Sequence, residues 1–253
     1  MSHHRVEFAG VEFAYPDGTQ ALHGVSFIVG HGESVAIVGA NGSGKSTLLA
    51  HLTGLLRPTS GSVSIGDVPV TRETLPDVRR SVGMVFQDPD DQLFMPTVAE
   101  DVAFGPVNMG LPPDRVEQRV VDALSRVAAL ELRDRAPHRL SAGEKRAVAI
   151  ATVLAMSPSL LVLDEPTSNL DPRARRRLIE LLAGFEHTKL VATHDLDMAL
   201  ELCERTIVLS GGRLTADGPT REIFSDADLL GRSGLERPLS MRGCPLCGSA
   251  PAE

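Results

Sequence analysis

Gly39-Ala40-Asn41-Gly42-Ser43-Gly44-Lys45-Ser46-Thr47 follows the apolar, β-branched run Val35-Ala36-Ile37-Val38 and precedes Leu48-Leu49-Ala50-His51-Leu52. A strand, a glycine loop and a helix in that order are what a phosphate cradle requires. Without Cβ atoms in the way, the loop can turn its backbone N–H groups toward phosphate oxygens, and the helix start adds the positive end of its dipole. Lys45 is then placed to reach β- and γ-phosphates, and the Ser46 hydroxyl to ligate a Mg²⁺ ion bridging them.

Outward from this loop, composition narrows the classes. The chain has 253 residues, 42% hydrophobic and 23% charged, the profile of a soluble globular protein. A formal charge of −8 argues against a nucleic-acid partner. The longest apolar run, residues 147–156, is about half of the ~20 residues that span a bilayer. Residues 1–5 carry no secretory pattern, and three Cys fit a reducing compartment, so a cytosolic protein is expected. His3 and His4 read as inert terminal residues.

Upstream of the loop, residues 5–38 alternate short β-type runs (Val6-Glu7-Phe8, Val11-Glu12-Phe13, residues 24–29) with turns. Tyr15, the only Tyr, is placed either to stack on an adenine ring or as an edge-strand aromatic. Downstream, a helix is expected from Lys45 to about Leu55, then short strands around Val63, Ile65 and Val68 and at residues 83–86. Gln87-Asp88-Pro89-Asp90-Asp91-Gln92-Leu93-Phe94 is polar, interrupted by proline and abruptly apolar at its end, which marks a functional loop. Asp114 with Glu117 predicts a capping box for a helix apolar on one side, and Ser141 with Glu144 predicts another for a helix running to Met156. Leu160-Leu161-Val162-Leu163 is apolar throughout, as a central parallel strand should be, and ends in Asp164-Glu165. Carboxylates at that end of a strand lie where α/β sheets bind ligands. Asp171 and Pro172 start a further helix, and residues 190–193 form a buried strand ending at His194, on its own a structural residue as readily as a functional one. Residues 207–215 predict a hairpin around Gly211-Gly212, and from about Ser225 the periodicity fades into an expected tail.

In this order, Lys45, Gln87, Ser141-Ala142-Gly143-Glu144, Asp164-Glu165 and His194 resemble the motifs of ATP-binding-cassette (ABC) ATPases over residues 5–220. The resemblance implies an α/β P-loop fold: a RecA-like core, an antiparallel β flank and a helical subdomain at about residues 88–158, within an ATPase domain spanning 1–224 and followed by a tail at 225–253. Gly39, Asn41, Gly42, Ser43, Gly44, Lys45, Ser46 and Thr47 would hold ATP as the Walker A loop, with Tyr15 as the adenine-stacking aromatic. Lys45, Gln87, Glu165 and His194 would serve catalysis, Glu165 as general base and His194 as switch histidine. Ser46, Gln87 and Asp164, the last through water, would serve Mg²⁺. Residues 168–171 resemble the D-loop. Residues 140–144 resemble the signature Leu-Ser-Gly-Gly-Gln, with Ala142 for the first Gly and Glu144 for the Gln. One set of motifs then implies a homodimer in which Ser141 and Gly143 contact the ATP of the opposite subunit.

The stretch 87–112, with Glu100-Asp101-Val102-Ala103-Phe104-Gly105-Pro106, looks like the ATPase of energy-coupling-factor importers, most of all the cobalt and nickel systems. That resemblance implies peripheral placement on the cytoplasmic face of the membrane and two partners, a transmembrane coupling subunit and a substrate-binding membrane subunit. Leu93, Phe94 and Met95 beside Asp88, Asp90 and Asp91 would suit a basic amphipathic helix, and core packing of Leu93 and Phe94 is compatible with that role. The alternatives are a vitamin importer of the same type and an ATPase that remodels a soluble assembly. Cys244 and Cys247 have zinc-knuckle spacing without a second pair nearby, so they are either half of a site shared by two chains or plain thiols; Cys203 reads as a buried small hydrophobe.

Overall fold

A computed structural model describes residues 5–242. A six-stranded sheet has the order β10-β9-β3-β8-β7-β6, built from β3 (Ser34–Val38), β6 (Val82–Val85), β7 (Leu160–Asp164), β8 (Thr188–Thr193), β9 (Arg205–Ser210) and β10 (Arg213–Pro219). All neighbours pair in parallel except β10, which folds back on β9 across Gly211-Gly212, at φ 52° and 71°. Every residue of β7 and β8 is buried, so the continuous apolar runs belong to strands covered on both faces.

Alternate residues of those strands feed two cores. Val35, Ile37, Leu160, Val162, Leu190 and Ala192 pack with α1 (Lys45–Ala50) and with a four-stranded antiparallel sheet, β2-β1-β4-β5. That flank comprises β1 (Val6–Ala14), β2 (Gln20–Val29), β4 (Ser60–Ile65) and β5 (Val68–Pro69). On the other face, Ala36, Val38, Leu161, Leu163 and Val191 join the core that contains α3 (Val98–Asn108), α4 (Pro113–Arg126), α5 (Ala142–Leu154), α6 (Pro172–Ala183) and α7 (Leu196–Leu202). The α3–α5 group is the helical subdomain. The expected architecture of core, flank and helical subdomain is what the chain forms.

Local expectations need several corrections. The two short runs at 6–13 are one strand, whose pairing with β2 slips between Phe8 and Val11, where Gly10 takes φ 60°. The first helix ends at Ala50 and is followed by turns; α2 (Leu75–Ser81) was not expected. Asp114 does not cap α4: Pro112 occupies that position without a side-chain bond, and Glu117 is drawn instead to Arg133 at 2.9 Å. Ser141 and Glu144 do form a reciprocal capping box, and Asp171 caps α6 with Pro172 inside its first turn. α5 stops at Leu154, two residues short. Residues 225–242 are packed on the core: α8 (Thr220–Ser225) runs into α9 (Ala227–Arg232), Leu230 is fully buried, and Asp197 accepts hydrogen bonds from the backbone N–H groups of Leu239 and Ser240. Cys244 and Cys247 lie outside the described residues.

Candidate active site

β3, β8, β7 and β6 are consecutive neighbours, so the chain leaving their carboxyl ends converges on one rim: the glycine loop from β3, His194 from β8, Glu165 from β7 and Gln87 from β6. Gly39 can carry no side chain there, because a Cβ would lie 2.2 Å from the Leu209 carbonyl oxygen. Gly44 turns into α1 at φ 102°, and a Cβ there would meet the Ala21 carbonyl oxygen at 2.9 Å. Asn41, Gly42 and Ser46 are exposed on the loop, whereas Ser43, Lys45 and Thr47 are buried.

Lys45 Nζ donates to the carbonyl oxygens of Gly39 at 2.9 Å and Ala40 at 3.3 Å and lies 3.8 Å from Glu165 Oε1. Glu165 is buried and sits in the left-handed region at φ 45°, strain of about 1–2 kcal/mol for a residue other than glycine. Its backbone N–H reaches across to Ala192 in β8, at 2.9 Å. Oε2 accepts from His194 Nδ1 at 2.7 Å, from the His194 backbone N–H at 3.2 Å and from Thr193 Oγ1 at 3.4 Å. The His194 side chain is 60% exposed, so the ring stands between a buried carboxylate and solvent. Such a carboxylate is oriented by neighbours at the end of β8 and lies close to the cation of the phosphate loop, which suits acceptance of a proton.

Asp164 is buried and its Oδ1 has no hydrogen-bond partner. Burial pushes its carboxyl pKa up, and the hydrogen bond from the Ser46 hydroxyl opposes that rise. A buried hard oxygen with a free lone pair, bonded to a serine hydroxyl on the phosphate loop, fits the donor set of Mg²⁺. Tyr15 lies just past β1; its hydroxyl is 2.8 Å from Thr47 Oγ1, and its ring packs edge-on against Phe13. It is thus tied to the helix that follows the phosphate loop.

A cleft of 590 Å³ brings Ser46, Gln87 and Asp164 opposite Ala142, Lys145 and Arg146 of α5, with Ser168 and Asn169 along its edge. Ser141 opens α5 at the exposed surface, its Oγ donating to Glu144 Oε2 at 2.7 Å; Gly143 follows, close to Ala174 of α6. Three positions escaped the sequence reading. Arg146 is buried and donates to the carbonyl oxygens of Phe86 and Gln87. Asp101, also buried, accepts from the backbone N–H groups of Phe94 and Met95, both at 3.0 Å. Asp195 binds the Arg175 guanidinium at 2.7 and 2.9 Å, and this hydrogen bonding holds its carboxyl below the usual range against the effect of burial. The signal for the first two was available: Asp101 stands between Val98 and Phe104, three residues away on either side, and Arg146 between Ala142 and Ile150, four residues away, so each is a charge on an apolar helix face.

The family model described as ABC transporter matches residues 22–168. The chain belongs to the ABC transporter ATPases. A provisionally named ABC transporter ATP-binding protein of Geobacter sulfurreducens is 66% identical over 98% of this chain and 100% of its own length. The energy-coupling factor transporter ATP-binding protein EcfA of Methanothermobacter thermautotrophicus is 48% identical over 92% of this chain and 76% of its own. Among solved structures, cbiO1 of Clostridium perfringens, described as part of the ABC transporter complex cbiONQ, superposes with a TM-score of 0.79 at 39% identity, covering 91% of this chain and 94% of that one. This ABC ATPase is of the energy-coupling-factor type, and its reaction is ATP hydrolysis coupled to transport. Among the described residues no helix is long and apolar enough to cross a membrane.

Proposed function

We propose that this ATPase closes as a homodimer on ATP, powers a membrane importer from the cytoplasmic face, and that the imported substrate is a divalent transition metal, cobalt first and nickel second. The observation that carries the transport reading is an apolar cluster that folding leaves uncovered beside the Gln87 loop. Phe94 is 63% exposed, Phe104 44% and Val107 59%, and the two Phe rings meet edge-to-face at 5.0 Å. Only Leu93 of the predicted apolar run turns into the core. A transmembrane coupling subunit would cover the cluster with an amphipathic helix, the acidic residues 88, 90 and 91 meeting its basic side. A substrate-binding membrane subunit would complete the importer.

Within the site, the loop 39–47 binds the phosphates, with Tyr15 against the adenine. Ser46, Gln87 and Asp164, the last through water, are the residues to hold Mg²⁺, which when bound neutralises charge on the transferred phosphoryl group. Lys45 adds a second positive charge. Glu165 accepts the proton of the attacking water, and His194, bonded to that carboxylate, orients it and contacts the γ-phosphate. Ser141 and Gly143 complete the site of the opposite subunit, because one ATP needs only one phosphate cradle and α5 offers a second helix start.

The cobalt and nickel reading rests on the likeness of residues 87–112 to those systems. The energy-coupling-factor type leaves a second reading, a vitamin importer that uses the same coupling module. Metal uptake in cells lacking the gene, complemented with wild type or Glu165→Gln, separates them. Loss of Co²⁺ or Ni²⁺ uptake restored only by wild type supports the proposal, and unchanged metal uptake refutes it.

A further inference from the structure

Arg146 is buried in the helical subdomain, 3% exposed, and among the described residues no carboxylate forms an ion pair with it. Its Nη1 donates to the Phe86 carbonyl at 2.7 Å and its Nη2 to the Gln87 carbonyl at 2.6 Å, while Nε is buried without a partner. A desolvated guanidinium held by two backbone oxygens is a costly choice for stability alone, since an apolar side chain would fill the same volume without that penalty. What it buttresses is the peptide on either side of Gln87. The rest of the loop is fastened to the same helix: Gln92 Nε2 donates to the Ala149 carbonyl and Thr152 Oγ1, both at 2.8 Å, Gln92 Oε1 accepts from the Phe86 N–H, and Lys145 pairs with Asp90 at 2.6 Å. Arg146 alone contacts both carbonyls that bracket the Gln87 Cα, and it also acts favourably on the Asp164 carboxylate.

We propose that Arg146 is the positioning residue for Gln87, fixing the loop backbone so that the Gln87 side chain is presented to the Mg²⁺ position beside Asp164 and Ser46. This rests on the assignment of Gln87 to Mg²⁺. Arg146 acts through the loop, by its bonds to the Phe86 and Gln87 carbonyls. A planar fork suits the task, because two fixed donors set the orientation of two successive carbonyls, which one rotating ammonium cannot do.

The test is Mg²⁺-dependent nucleotide binding, not turnover. In the full-length chain carrying Glu165→Gln, so that ATP persists, binding of a fluorescent ATP analogue is titrated against Mg²⁺ for the wild-type background, Arg146→Met, Arg146→Lys, Gln87→Ala and the double variant. Arg146→Met is expected to raise the half-saturating Mg²⁺ concentration about five- to tenfold and Arg146→Lys less, with nucleotide binding in EDTA unchanged. Gln87→Ala should shift it similarly, and adding Arg146→Met to Gln87→Ala should shift it no further, because the two act as one unit. If Gln87→Ala shifts the titration and neither Arg146 variant does, the positioning role is refuted. If Gln87→Ala has no effect, the assignment of Gln87 to Mg²⁺ falls first. Should Arg146→Met fail to fold, Arg146→Lys keeps the charge but gathers its donors on one nitrogen, and a titration equal to wild type in that variant would overturn the proposal.

Discussion

Replacing Glu165 by Gln keeps the volume and one carbonyl acceptor but removes the charge and the basicity at the point where four groups converge. The carboxylate now accepts from His194 Nδ1, the His194 N–H and Thr193 Oγ1, and lies 3.8 Å from Lys45 Nζ. Loss of a positioned general base is worth about 10²- to 10⁴-fold in rate, or about 2.7–5.4 kcal/mol of barrier. The fold loses much less. The departing charge was desolvated, and Lys45 keeps its bonds to the Gly39 and Ala40 carbonyls, so a change of about 1–2 kcal/mol in either direction is expected. Single-turnover phosphate release at saturating Mg²⁺–ATP measures the chemical step, equilibrium binding measures the nucleotide, and a thermal melt measures the fold. Slow release with near-normal binding and melting is the expected triad. Release within about threefold of wild type would refute the base assignment, and equal losses of binding and release would make Glu165 a ligand-holding residue instead.

Other perturbations test other parts. Because burial raises the Asp164 pKa, the folded chain holds a proton that the unfolded chain has released between the ordinary carboxylate value and the raised one, so this group makes stability fall as pH rises through that window. Asp164→Asn should flatten that part of the melting-temperature profile while weakening Mg²⁺–ATP binding; a steeper profile would contradict it. Glu144→Gln can keep the capping box but removes a negative charge from the helix start assigned to the γ-phosphate of the opposite subunit, so the Glu165→Gln background should dimerise at about five- to tenfold lower ATP in sedimentation velocity. A higher ATP requirement would argue against that contact. Asp101→Ala strips the acceptor from the Phe94 and Met95 N–H groups and should cost about 1–3 kcal/mol in urea unfolding, whereas Asp101→Asn, which retains an oxygen, should cost less than about 1 kcal/mol. Burial pushes the Cys203 thiol up to about 12, so its alkylation at pH 8, followed by peptide mass spectrometry, should be slow in the native protein and fast in urea; equal rates would contradict its burial.

The core of the site was legible because it is written in short, contiguous stretches whose neighbours announce the strand that delivers them. Residues 35–47 carry strand, loop and helix in one run, and 160–165 carry a strand apolar on both faces that ends in acid. The sheet order adds the remaining information: once β3, β8, β7 and β6 lie side by side, four separate segments must meet. Illegible were features that depend on a partner distant in sequence. Arg146 reaches a loop sixty residues earlier, and Glu117 leaves its expected cap for Arg133, because a long-range bidentate ion pair outcompetes a local bond at the second turn position. The segment 225–242 looked like a tail because its large apolar residues, Leu229, Leu230, Leu235, Leu239 and Met241, show no sustained period, yet all of them but the exposed Leu239 pack on the core. The exposure of Phe94 was not decidable from sequence either, since Leu93 and Phe94 are adjacent and the bend after Asp91 determines which one turns inward.

These long-range contacts give the site its mechanical character. α5 begins at Ser141, the residue assigned to the opposite ATP, and one turn later grips the loop that carries Gln87. The same loop leads through Gln92, bonded to α5 at Ala149 and Thr152, into the exposed Phe94 that Asp101 of α3 holds in place. A displacement of α5 by the opposite subunit's nucleotide would therefore carry Gln87 and Phe94 with it, since the bonds that join them are short and shielded in part from solvent. Rigid elements that share a loop transmit movement without any change in their own folding. On the proposed function, the exposed cluster at Phe94, Phe104 and Val107 is the output end of a train of contacts that starts at the nucleotide site, the place at which a membrane subunit would be grasped for hydrolysis to move it.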